Sequence, residues 1–248
     1  MIGIFFIYIF IDFIVFSPVK HSQNHKYSIS QEFRELKLDH PNGQKLNLLV
    51  FESQIPVKAY LLYLHGTAKS ADHWAEQIPF FTSLGFQVIM PDYRGYGKSQ
   101  GSPTENGLYE DAQISYGWLK GKTTEDSIYI YGVDFSASVA AYLATISPCR
   151  HVILDNPIYS LRSWMRTKFP LLVLPYELKY DFNVYEFIPN VISPLSILYT
   201  TNHPFHKKAE LKNILNLVRD PGSIIWMEKG GQTDPAYIQF FNQMISPL

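Results

Sequence analysis

The chain has 248 residues, 46% of them hydrophobic and 15% aromatic, with 21 basic residues set against 22 acidic ones. That is enough apolar material for one large core, and it excludes a disordered chain. A formal net charge of -1, with both signs interspersed, gives no electrostatic footprint for nucleic acid, so a small or apolar partner is expected.

The first stretch, "MIGIFFIYIFIDFIVF", is nearly all apolar, broken by Asp12, and gives way to the polar "SPVKHSQNHKYS". Residues 1–16 are read as an uncleaved membrane anchor or signal-like segment. The run is shorter than the roughly 20 residues of a comfortable span, and it lacks a basic start and a small-residue cleavage site. Asp12 is costly at mid-bilayer, which leaves an interfacial position or a partner helix open. The expectation is a membrane-associated protein, with the side of the membrane undetermined. Residues 17–31 read as a linker, and the globular domain as residues 32–248.

"FRELKLD" and "LNLLVFES" flank "HPNGQ", whose Asn42-Gly43 pair signals a tight turn, so they predict an antiparallel hairpin. Apolar runs then alternate with helical patterns. "AYLLYLHG" precedes a helix over 71–84, "FQVIMPD" one over 105–118, "SIYIYG" one over 136–146, and "HVILDNP" follows. Continuous apolar strands joined by crossover helices predict a mostly parallel twisted sheet, covered on both faces, with ligands outside the carboxyl ends of the strands. Residues 158–191 turn irregular and aromatic, which reads either as a short cap over a pocket or as ordinary surface helices. Regular alternation resumes with "LSILYTT", a helix over 207–218, "SIIWME" and a helix from 234 to the end. The single cysteine, Cys149, excludes an internal disulfide and a cysteine-based zinc site. No metal or cofactor motif is visible.

Four motifs fall at strand ends: "LYLHGTAKSADHW", "PDYRGYGKSQGSPTENGLYEDA", "YGVDFSASVAAYLA" and "MEKGGQTDPAYIQFF". Their order resembles the α/β-hydrolase superfamily, and more narrowly its membrane-anchored serine hydrolases of the esterase and aminopeptidase-like branch. The resemblance implies an α/β-hydrolase fold of about eight strands. It implies an oxyanion hole made by the backbone N–H groups of Thr67 and Phe135, and a nucleophile elbow of the pattern small-x-Ser-x-small. Gly132 and Ser136 meet the small positions, but Asp134 stands where the serine is expected. Gln232 occupies the place of the base histidine, with Gly230, Gly231 and Asp234 retained around it. Asn202 falls where the acid is expected.

Glutamine takes up no proton near neutral pH, so an ester formed on Asp134 would accumulate. The first reading is therefore a catalytically impaired hydrolase scaffold that binds an apolar or acyl small molecule. The alternative is an active hydrolase, esterase-like or with an aspartate nucleophile as in epoxide hydrolases and haloalkane dehalogenases. It would draw His203 or His206 in as a relocated base. Ser136 and Ser138 are nearby hydroxyls, but the register puts both inside the helix that follows.

Overall fold

The computed structural model describes residues 10–171, 174–201, 203 and 208–245. The hairpin forms as the turn chemistry demands: β1 (Phe33–Asp39) pairs antiparallel with β2 (Lys45–Phe51), and Gly43 takes the left-handed φ of 82° at the turn. The remaining strands are β3 (Ala59–Leu64), β4 (Phe86–Asp92), β5 (Ile128–Val133), β6 (His151–Asp155), β7 (Leu195–Thr200) and β8 (Ile224–Met227). They lie in the order β1-β2-β4-β3-β5-β6-β7-β8, parallel from β4 onwards, so the sheet has eight strands among the described residues.

The apolar runs are long because both faces of the sheet are covered. Side chains alternate across a strand, so Leu48, Val50, Leu62, Leu64 and Ile130 feed one core. Leu49, Phe51, Leu61, Tyr63, Tyr129 and Tyr131 feed the other. Each large apolar side chain so buried contributes about 1.5–3 kcal/mol. Helix Glu105–Lys120 and helix Ser136–Ile146 belong to the first core, while helix Ile78–Leu84 and helix Pro235–Ile245 belong to the second.

One predicted helix is broken. Residues 71–84 form Ala71–Trp74, a tighter turn at Ala75–Gln77, and then Ile78–Leu84. Pro79 sits in the first turn of the last piece and has no N–H to donate back, so a continuous helix cannot run through it. The "DYRGYG" motif shapes loops. The buried Asp92 carboxylate accepts from Tyr27, Asn47 and the Ala71 N–H, and a Cβ on Gly97 would lie 2.0 Å from it. Arg94 is held by Asp111 through its backbone N–H and its guanidinium.

The polar stretch predicted as a linker lies against the body. Ser17 bridges Ala68, and Lys20 bridges Gly97, both in parallel. Residues 10–15 are helical and bury Ile11 and Val15, with Phe16 buried just after them. Asp12, the interruption in the apolar run, accepts from Lys179 and from the Tyr180 hydroxyl at 2.8 Å. Among the described residues no helix is long and apolar enough to cross a membrane, and residues 1–9 lie outside them. In the aromatic stretch 158–191 the helix Leu161–Lys168, capped by Ser160, is followed by irregular chain and the short Val184–Phe187.

Candidate active site

The site is built at the carboxyl end of β5. The chain leaves β5 at Val133, turns sharply, and enters helix Ser136–Ile146. Asp134 holds this turn with a φ of 52°, a left-handed conformation that few non-glycine residues adopt. The turn packs so tightly that a Cβ on Gly132 would lie 2.4 Å from the Ser136 carbonyl oxygen and 2.6 Å from Ala140 Cβ. Glycine is thus required at 132. Ser136 is locked beneath the turn, its hydroxyl donating to the His65 carbonyl at 2.5 Å and accepting from Tyr93 at 3.1 Å. Ser138 is buried within the helix.

Asp134 faces a cavity of about 250 Å³. Gly66, Thr67, Ala68 and Trp74 form one wall, Phe135, Ile158 and Trp164 another, and Ile14, Val15 and Ser17 of the N-terminal segment a third. Lys168 and His203 complete the lining. Thr67 and Phe135, the expected oxyanion donors, thus flank Asp134, and among the described residues neither backbone N–H has an acceptor. The Thr67 carbonyl is held by the Tyr96 hydroxyl at 2.6 Å and the Ser17 N–H at 3.1 Å, which fixes the loop carrying that amide. The His65 ring bonds locally, Nδ1 to the Gly66 carbonyl oxygen at 2.8 Å, and burial lowers its pKa.

A second carboxylate stands beside the first. Asp155 ends β6, the neighbour of β5, and its carbonyl accepts the Asp134 N–H at 3.0 Å. Its carboxylate is buried, bonded by the Tyr131 hydroxyl and by the Asn156 amide at 2.8 Å. Burial raises the pKa of Asp155 to about 6. Burial, and then the negative charge of Asp155, pushes Asp134 up to about 7. Near neutral pH the Asp134 carboxyl is therefore close to half protonated, a poor nucleophile and a competent hydrogen-bond donor.

Of the predicted triad positions, Asp134 lines the cavity and Gln232 is bonded elsewhere. The Gln232 side-chain amide donates to the Gln77 carbonyl and does not line the cavity. The glycine turn around it persists for structural reasons. Gly230 and Gly231 take φ of 73° and 68°. Asp234 accepts from the N–H groups of Glu228 and Lys229 at 2.8 and 2.9 Å, and from Ala236 at the start of the last helix. These donors hold the Asp234 carboxyl below its usual range. Asn202 and His206 lie outside the described residues. His203 shares the cavity with Asp134, and burial lowers its pKa.

The family described as the alpha/beta hydrolase fold matches residues 60–234. The chain belongs to that family. Its curated relatives include the lysophosphatidylserine lipase ABHD12 of Danio rerio, 36% identical over 119 residues, which are 45% of this chain and 30% of that protein. The Mus musculus protein of the same name is 30% identical over 179 residues, 63% of this chain and 45% of that one. The chain thus matches less than half the length of these two relatives. Among solved structures, the esterase Pf2001 of Pyrococcus furiosus superposes with a TM-score of 0.67 at 20% identity, covering 92% of this chain and 94% of that one. At that identity the likeness concerns the fold.

Two features of the site were not predicted from the sequence. Asp155 was visible as the acid ending the apolar run "HVILDNP", and a strand-terminal carboxylate next to the elbow was the available signal. The N-terminal wall had no such signal, because an apolar run reads the same whether lipid or protein receives it.

Proposed function

We propose that this protein binds an apolar small molecule through a carbonyl group and does not turn it over by the usual serine–histidine–acid route. The observation that carries the reading is the combination at the elbow. Two backbone donors, Thr67 and Phe135, stay unengaged beside a half-protonated Asp134, while the side chain at the base position, Gln232, is committed to the Gln77 carbonyl. A carbonyl oxygen between those donors is satisfied in a cavity whose apolar walls carry a few polar groups, which is the usual composition of a small-molecule site. The relatives are lysophosphatidylserine lipases, which supports an acyl-type ligand. The apolar N-terminal run, with Phe10 and Phe13 exposed at its described end, supports attachment to a membrane surface. Flotation with phosphatidylcholine vesicles tests that attachment, and a chain that stays at the bottom of the gradient argues against it.

Binding is tested with octan-2-one, a carbonyl ligand that neither ionises nor hydrolyses. A dose-dependent rise in melting temperature, lost in Asp134→Ala, is expected. No rise in wild type overturns the reading.

A second reading is favoured by one observation: His203, held neutral by burial, lines the same cavity as Asp134. An active hydrolase using Asp134 with His203 as base predicts ester turnover that falls at least a hundredfold in His203→Ala.

A further inference from the structure

The N-terminal segment forms part of the wall of the candidate site. Helical residues 10–15 and Ser17 lie across the cavity, with Ile14, Val15 and Ser17 in its lining. The segment is pinned at both ends. At one end the Ser17 N–H donates to the Thr67 carbonyl at 3.1 Å, and the Lys69 N–H donates to the Ser17 carbonyl at 2.7 Å. This parallel bridge is made to the same loop that offers the Thr67 amide to the cavity. At the other end Asp12 is paired with Lys179 and bonded by Tyr180. Between the two anchors Phe16 packs edge-on against Tyr180 and Phe182, ring centroids 5.0 and 6.0 Å away, and Phe182 in turn touches Phe135 at 5.3 Å. Val15 is 3% exposed, so its side chain is a fixed wall.

From this geometry we infer that Ile14 and Val15 set the ligand length that the site favours: they share one cavity with Asp134, Thr67 and Phe135, and their bulk occupies room that a bound chain would otherwise use. The inference rests on the carbonyl-ligand reading above. Protein interiors do not stretch to admit extra bulk without cost. Ile14→Ala removes three side-chain carbons and Val15→Ala two, which leaves more room for a bound chain. A bulkier residue at 15 acts in the opposite direction.

The test is a melting-temperature series on the full chain with alkan-2-ones from hexan-2-one to dodecan-2-one. Wild type is compared with the Ile14→Ala/Val15→Ala double variant and with Val15→Leu. The wild-type maximum sets the reference length. The double variant is expected to move the maximum two or more carbons longer, and Val15→Leu at least one carbon shorter. Identical length profiles in wild type and Val15→Leu overturn the inference while leaving carbonyl binding intact. No rise for any ketone in wild type overturns the carbonyl reading itself, and the inference with it. Val15→Leu retains an apolar side chain at the buried position, so it decides the matter even if the double variant fails to fold.

Discussion

At the scale of single residues the protein turns on the proton of Asp134. Its folded pKa of about 7 lies above the model-peptide value near 4, and Asp155, at about 6, shifts the same way. The folded state therefore holds protons that the unfolded chain has released. Stability is fully present below about pH 4 and is lost as pH rises through 6 and 7. Asp134→Asn removes the cost of ionising a buried carboxyl and keeps a residue that tolerates positive φ. It is expected to raise unfolding free energy at pH 8 by about 2–4 kcal/mol while changing it little at pH 4, as read from urea titrations at the two pH values. Equal effects at both pH values would mean that Asp134 ionises normally. The same proton governs the ligand. A carbonyl oxygen beside neutral Asp134 meets an O–H donor, whereas above pH 7 it meets a negative charge. The dissociation constant of octan-2-one should be flat below about pH 6 and rise up to about tenfold per unit above pH 7, as measured by calorimetry. In Asp134→Asn the dependence should vanish.

At the scale of elements, the turn between β5 and the helix Ser136–Ile146 is tight, with Asp134 at a φ of 52°. The constraint comes from backbone packing and not from the reacting group. Gly132 shows this most directly, since any side chain there meets the Ser136 carbonyl. Gly132→Ala is expected to destabilise the fold by about 3 kcal/mol or more, read from the urea midpoint at pH 6. A loss under 1 kcal/mol would show that the turn can relax. Two other elements departed from their sequence patterns for identifiable reasons. Pro79 split the helix predicted over 71–84. Within the stretch read as an anchor and linker, Ile11, Val15 and Phe16 join the core and Asp12 is paired with Lys179.

For the whole molecule, the fold was legible because local patterns and topology agree. Alternating apolar runs, the Asn42-Gly43 turn and the glycine turns at strand ends each demand a particular backbone, and those demands are met together in one sheet. The elbow was legible for the same reason, with Gly132, Asp134, Phe135 and Thr67 all tied to turns. What the sequence withheld depends on contacts between distant segments: the pairing of Asp134 with Asp155, the commitment of Gln232 to Gln77, and the closure of the cavity by residues 11–17. None of these has a local signature, because each is set by which surfaces meet after folding.

The function proposed for this α/β-hydrolase fold is ligand binding at Thr67 and Phe135 without turnover by the usual serine–histidine–acid route. The most direct measurement is steady-state release of nitrophenol from 4-nitrophenyl octanoate by the purified full chain at pH 7.5, alongside Asp134→Ala. The account predicts release at the buffer rate from both proteins. Sustained turnover by wild type that disappears in Asp134→Ala would contradict it.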